Sequence, residues 1–150
     1  MLRNKTVVLI IGILAVLLPA MSSAELRIEE GFVRGLPRGQ QTTAAFMRLV
    51  NDGDNDVIII DASSDSAERA EIHAHIHRNG MMSMQRVVSM VVPARSTFVL
   101  EPGEHHLMLI NLHKPLSEGD TVFVELLSAT GEKVNATLPV RSVLNEHQHH

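Results

Sequence analysis

The 150 residues contain no cysteine, no tryptophan and no tyrosine, and only four phenylalanines. Without cysteine there are no disulfides, no thiolate ligand or nucleophile, and no acceptor for a lipid behind an export signal. A blue-copper electron-transfer site falls with the same absence, because it needs a Cys thiolate. Without Trp or Tyr the protein absorbs almost nothing at 280 nm. Catalytic signatures are missing too: there is no Gly-x-Ser-x-Gly, no His-Glu-x-x-His and no Gly-rich phosphate loop, so a binder is expected and not an enzyme.

Long hydrophobic runs are also scarce. The run from Val7 to Leu18 covers only 12 residues, short of the roughly 20 that a spanning helix needs. Arg3 and Lys5 precede it, and Ser22, Ser23 and Ala24 close it with small side chains. Residues 1–24 therefore read as a signal peptide cleaved after Ala24, which sends the chain to the periplasm with no stable membrane insertion afterwards. The remaining 126 residues suit one domain, 25–141, followed by a His-rich tail, 142–150. Once the signal takes Arg3 and Lys5, 11 basic residues face 17 acidic ones, about −6 with His neutral, which argues against nucleic acid as a partner. A monomer is expected.

What is present is a succession of short runs rich in Val, Ile, Leu and Thr, separated by turn residues. That pattern predicts an all-β sandwich with nine strands, near 26–34, 43–50, 57–62, 70–77, 81–90, 97–100, 106–112, 121–128 and 133–140. No segment after residue 24 has convincing helical periodicity. Asn79-Gly80 is the sharpest local signal, since an Asn-Gly loop between alternating strands favours a two-residue type I′ hairpin. In that register His77 faces Met82 and His75 faces Met84, so His73, His75, His77, Met82 and Met84 share one side. Ile72, Ala74 and Ile76 then form the core side. Asp52, Asp54 and Asp56 lack the twelve-residue loop of a calcium site and read as a solvated turn.

Most of the His and Met residues of the folded part gather between His73 and Met108. Thioethers and imidazoles without thiolates make a neutral, soft donor set, which suits monovalent copper better than a divalent ion. His73 is followed by ten residues and Met84, then by twenty-one residues and the pair His106-x-Met108. This His-x10-Met-x21-His-x-Met spacing resembles that of the periplasmic copper(I) chaperones called PCuAC-like proteins. The surrounding words resemble that family as well: AAFMRLVN, EIHAHI, MMSM, VLEPGEHHLML and LSEGDTV.

The resemblance spans about residues 26 to 140. It implies a cupredoxin-like Greek-key β-sandwich with His73, Met84, His106 and Met108 as Cu(I) ligands. It also implies transfer of the ion to an acceptor, either the copper A centre of cytochrome oxidase or a Sco-type protein. His75, His77 and His105 are auxiliary candidates. The tail residues His147, His149 and His150 read either as a second, weaker metal-binding arm, suited to Cu(II), Zn or Ni, or as a solvated end. The competing expectations are a copper-sequestering or storage protein sharing the same site, and a structural β-sandwich module whose His and Met residues only pack.

Overall fold

The computed structural model describes residues 26–142. The signal peptide expected over 1–24 and the tail histidines His147, His149 and His150 lie outside the described residues. Ten strands follow one another: β1 (Leu26–Gly35), β2 (Thr42–Asn51), β3 (Val57–Ser64), β4 (Ala67–Arg78), β5 (Met81–Arg86), β6 (Met90–Val92), β7 (Ser96–Leu100), β8 (His106–Leu112), β9 (Thr121–Ser128) and β10 (Lys133–Ser142). The all-β expectation is met.

Neighbouring strands run β4-β8-β2-β1-β10-β9-β3, and an Ala62↔Ala70 pairing of β3 with β4 closes the sheet into a seven-stranded barrel. β5 extends it beyond β4, β6 beyond β3, and β7 pairs with the second half of β2. All pairings are antiparallel except that of β1 with β10. Alternation fills the interior: Val122, Val124 and Leu126 of β9 point inward and meet Leu107 and Leu109 of β8 with Met47 and Leu49 of β2 in one apolar cluster.

The segment expected as one strand over 81–90 is two. Val87 donates its N–H to the Ile72 carbonyl at 2.8 Å, and the chain then leaves β4, crossing so that Met90–Val92 pairs with β3 instead. The apolar pattern continues through the crossing, so periodicity alone gives no break.

Two local features place the elements near the histidines. At β1 a bulge between Glu29 and Gly31 brings the backbones so close that a Cβ on Gly31 would lie 2.8 Å from the Phe46 carbonyl oxygen and 2.8 Å from Leu138 Cδ2. Gly31→Ala is therefore expected to lose about 2 kcal/mol of stability, read as a lower urea midpoint. On the other edge of β2, β8 pairs with Thr42–Ala45 and β7 with Met47–Asn51. The link between β7 and β8 bows outward opposite Phe46, in a turn closed by Glu104 N–H to Glu101 O at 3.1 Å. That excursion opens a cleft on the barrel wall.

Candidate metal centre

The Asn79-Gly80 turn sets the register of the hairpin that carries most of the donors. Both residues have positive φ, 54° and 75°, as a type I′ turn requires. His75 pairs with Met84 and His77 with Met82, in the register the turn predicts. On the opposite edge of β4, His73 pairs with His106 and Glu71 with Met108. Ile72 and Ala74 are buried in the core, and so are Leu107 and Leu109. Period-two alternation therefore leaves His73, His75 and His77 of β4, Met82 and Met84 of β5, and His106 and Met108 of β8 on one outer face.

The imidazoles are close neighbours. His75 and His106 have ring centroids 5.4 Å apart, and His73 and His106 6.1 Å. His75, Met84, His106 and Met108 line a cleft of about 230 Å³ together with Arg34 and Phe46. Pro102 and Gly103 from the β7–β8 excursion complete the wall. Ala44, opposite Met108, is small enough to leave the thioether space. Arg34 sits over the Phe46 ring at 5.1 Å.

Two of the rings have their protons assigned by their surroundings. His106 Nδ1 is 3.0 Å from the Glu104 carbonyl, which can only accept, so Nδ1 carries the proton and Nε2 holds the lone pair. His73 Nε2 is 3.0 Å from Glu71 Oε2, so the proton lies there and the lone pair is on Nδ1. Glu71 is held in turn by Arg69 at 3.2 Å. The hydrogen bond from His73 keeps its carboxyl below the ordinary carboxylate range, against the opposing effect of burial. His73 Nδ1 and His75 Nδ1 are both buried and have no hydrogen-bond partner among the described residues. Buried polar atoms are rarely left so.

Burial holds the His106 pKa below its usual 6.5, partly opposed by the hydrogen bond to Glu104 and reinforced by His75, His73 and Arg34. The unfolded chain then takes up this proton more readily than the folded one, so the stabilisation is complete above pH 6.5 and is lost as the pH falls through the folded value. The metal-free protein is expected to hold its urea midpoint above about pH 7.5 and to lose stability as the pH falls through and below 6.5. His106→Gln should flatten that dependence.

The four residues carried over from the resemblance lie on one face, with a distinction that spacing cannot show. His75 lines the cleft, whereas His73 sits beside it, held by Glu71. His105 points elsewhere: its ring meets Phe98 edge-on at 5.1 Å, so it does not join the others, because successive residues at a strand entry face opposite ways. Sequence reasoning missed Glu71, Arg34 and Phe46. For Glu71 a signal existed, since a carboxylate two positions before His73 on a strand must share its face. The acidic loop is a paired turn: Asp52 binds Arg27, Asp54 binds Arg95 at 2.6 Å, and Asp56 accepts from the Ala94 N–H at 2.9 Å. No group of three or more His, Asp or Glu converges as a metal site among the described residues.

Fold and side chains together define a small cupredoxin-like β-barrel domain with His and Met residues gathered on one outer face. The chain belongs to the family described as "Putative lipoprotein LpqE-like", whose model matches residues 26–140. It is 31% identical over 124 residues to "Putative lipoprotein Lxx21020" of Leifsonia xyli subsp. xyli, covering 82% of this chain and 74% of that one. Among solved structures it is similar to Cu(I)-DR1885 from Deinococcus radiodurans, at 28% identity and a TM-score of 0.65, over 82% of this chain and 83% of that one. The copper-bound PCuAC domain from PmoF2 has the same fold, at 19% identity and a TM-score of 0.65, over 79% and 94%. The PCuAC-like fold expected from the sequence is thus the observed one.

Proposed function

We propose that this protein binds Cu(I) outside the cytoplasm and passes it on by ligand exchange, through His73, Met84, His106 and Met108. The observation that carries the reading is the pair of buried, unpartnered imidazole nitrogens beside a cleft lined by two thioethers and by His106, whose free lone pair is on Nε2. Such a set fits Cu(I): it is soft, neutral and free of protons that would have to leave. The likeness to Cu(I)-DR1885 supports the choice of metal.

Location outside the cytoplasm is supported by the lipoprotein family and by the signal-like first 24 residues. These 150 residues hold no cysteine to carry a lipid. Carriage is favoured over storage by exposure, since Met84 is 48% exposed and an incoming ligand can reach the ion. The acceptor in this reading is the copper A centre of cytochrome oxidase or a Sco-type protein, and the protein is a carrier and not an enzyme.

Titration with Cu(I) against a competing chelator, followed by mixing with a copper-free copper A domain, tests the reading. One tightly bound equivalent that moves to the acceptor is expected. An equivalent that binds and stays put would favour sequestration, and no binding would leave a structural module. Glu71→Gln provides a finer check, because losing the carboxylate that orients His73 should weaken Cu(I) binding about tenfold with unchanged circular dichroism.

A further inference from the structure

Beyond the cleft the same face of the β4–β5 hairpin continues for one more cross-strand pair. His77 and Met82 are directly opposed, one step nearer the turn than His75 and Met84. Both pairs combine one imidazole and one thioether, and both face the cleft side of the hairpin by alternation. Among the described residues β5 is an edge strand paired with β4 alone, and every one of its residues is exposed. Met82 is 60% exposed and Met84 48%. An edge strand usually carries charge to discourage pairing with other chains; this one has a single charge, Arg86 at its far end, and three methionines before it. Thioethers this exposed bury little apolar surface, and His75, opposite Met84, has a buried Nδ1 with no partner among the described residues.

We propose that His77 and Met82 form an outer Cu(I) site near the hairpin turn, through which the ion enters and leaves the cleft by way of His75. The inference rests on the Cu(I) reading above. Successive same-face positions lie roughly 7 Å apart along a strand, so flexible Met side chains can span the step. The ion stays Cu(I) throughout: bonds to His77 nitrogen and Met82 sulfur form as those to Met84, Met108, His73 and His106 break, with His75 holding the ion in between. No electron moves and no proton is required, because each donor is neutral. An outer pair with few donors binds weakly, as an exit should, and an acceptor's ligands can approach it from solvent.

The test is the full chain carrying His77→Ala and Met82→Leu, loaded with one equivalent of Cu(I) and mixed rapidly with excess chelator. Inner-site affinity should stay within about twofold of wild type, while the rate of copper loss falls about tenfold. A second, weaker Cu(I) equivalent, seen in wild type as a shift of the Met82 methyl resonance, should disappear. Met81→Leu, which changes the opposite face of β5, should leave the rate alone. An unchanged loss rate in the double variant would overturn the outer site while leaving the inner one standing, and so would an equal slowing by Met81→Leu. Wild-type protein that takes up no Cu(I) at all would overturn the underlying reading instead.

Discussion

Replacing Met84 and Met108 together by leucine is expected to lower Cu(I) affinity by about a thousandfold, with the fold retained. Leucine keeps most of the apolar volume of methionine, and such exchanges cost a core little. Met84 is 48% exposed and Met108 only partly buried, so neither packs tightly enough for the change to act through stability. What is removed is sulfur. Losing a group that merely orients a ligand costs a metal site about 10–100-fold, so losing two direct donors should cost more than either bound. Two imidazoles left alone suit Cu(II) or zinc better than Cu(I), so the variant should also lose its preference for the monovalent ion. Chelator competition measures both. A change below about threefold, roughly 0.6 kcal/mol, would mean that the sulfurs are not ligands.

The largest expected loss of stability lies at the other end of β2. Asn51 is fully buried and joins three segments. Its amide nitrogen donates to the Asn55 carbonyl at 2.8 Å and to the Val92 carbonyl at 3.1 Å, while its carbonyl oxygen accepts from the Gly53 N–H at 3.0 Å. Asn51→Leu keeps the volume but leaves those backbone groups buried and unpaired, each at a cost of about 1–3 kcal/mol. A total near 3 kcal/mol is expected, seen as a melting point lower by roughly 10 °C. Because the β2 residues at the cleft, Thr42, Thr43, Ala44 and Phe46, come from the first half of the strand and Asn51 ends it, Cu(I) affinity of the folded variant should match wild type. A stable Asn51→Leu protein would show that this network is dispensable.

Much of the site was legible because its determinants are local. Asn79-Gly80 sets the pairing of β4 with β5, and alternation then decides which His and Met residues share a face. The same rule separates His105 from His106. Other features depend on contacts between distant segments, which no short pattern records. The closing Ala62↔Ala70 pair, the departure of the chain at Val87 and the excursion opposite Phe46 arise from how the barrel closes. The placement of His75 in the cleft wall, with His73 held beside it by Glu71, depends on the rotation of individual rings. Spacing identifies the strand positions and leaves that choice to packing and hydrogen bonds. Arg34 and Phe46 come from strands with no His or Met on the cleft face, so nothing in their own segments marks them.

X-ray absorption at the copper edge of the Cu(I)-loaded protein tests the central claim most directly, because it counts the neighbours of the ion by element. Two sulfur and two nitrogen neighbours are expected, with both sulfurs absent from the Met84→Leu, Met108→Leu protein. A first shell of nitrogen and oxygen alone, or a sulfur count that the double substitution leaves unchanged, would contradict the account.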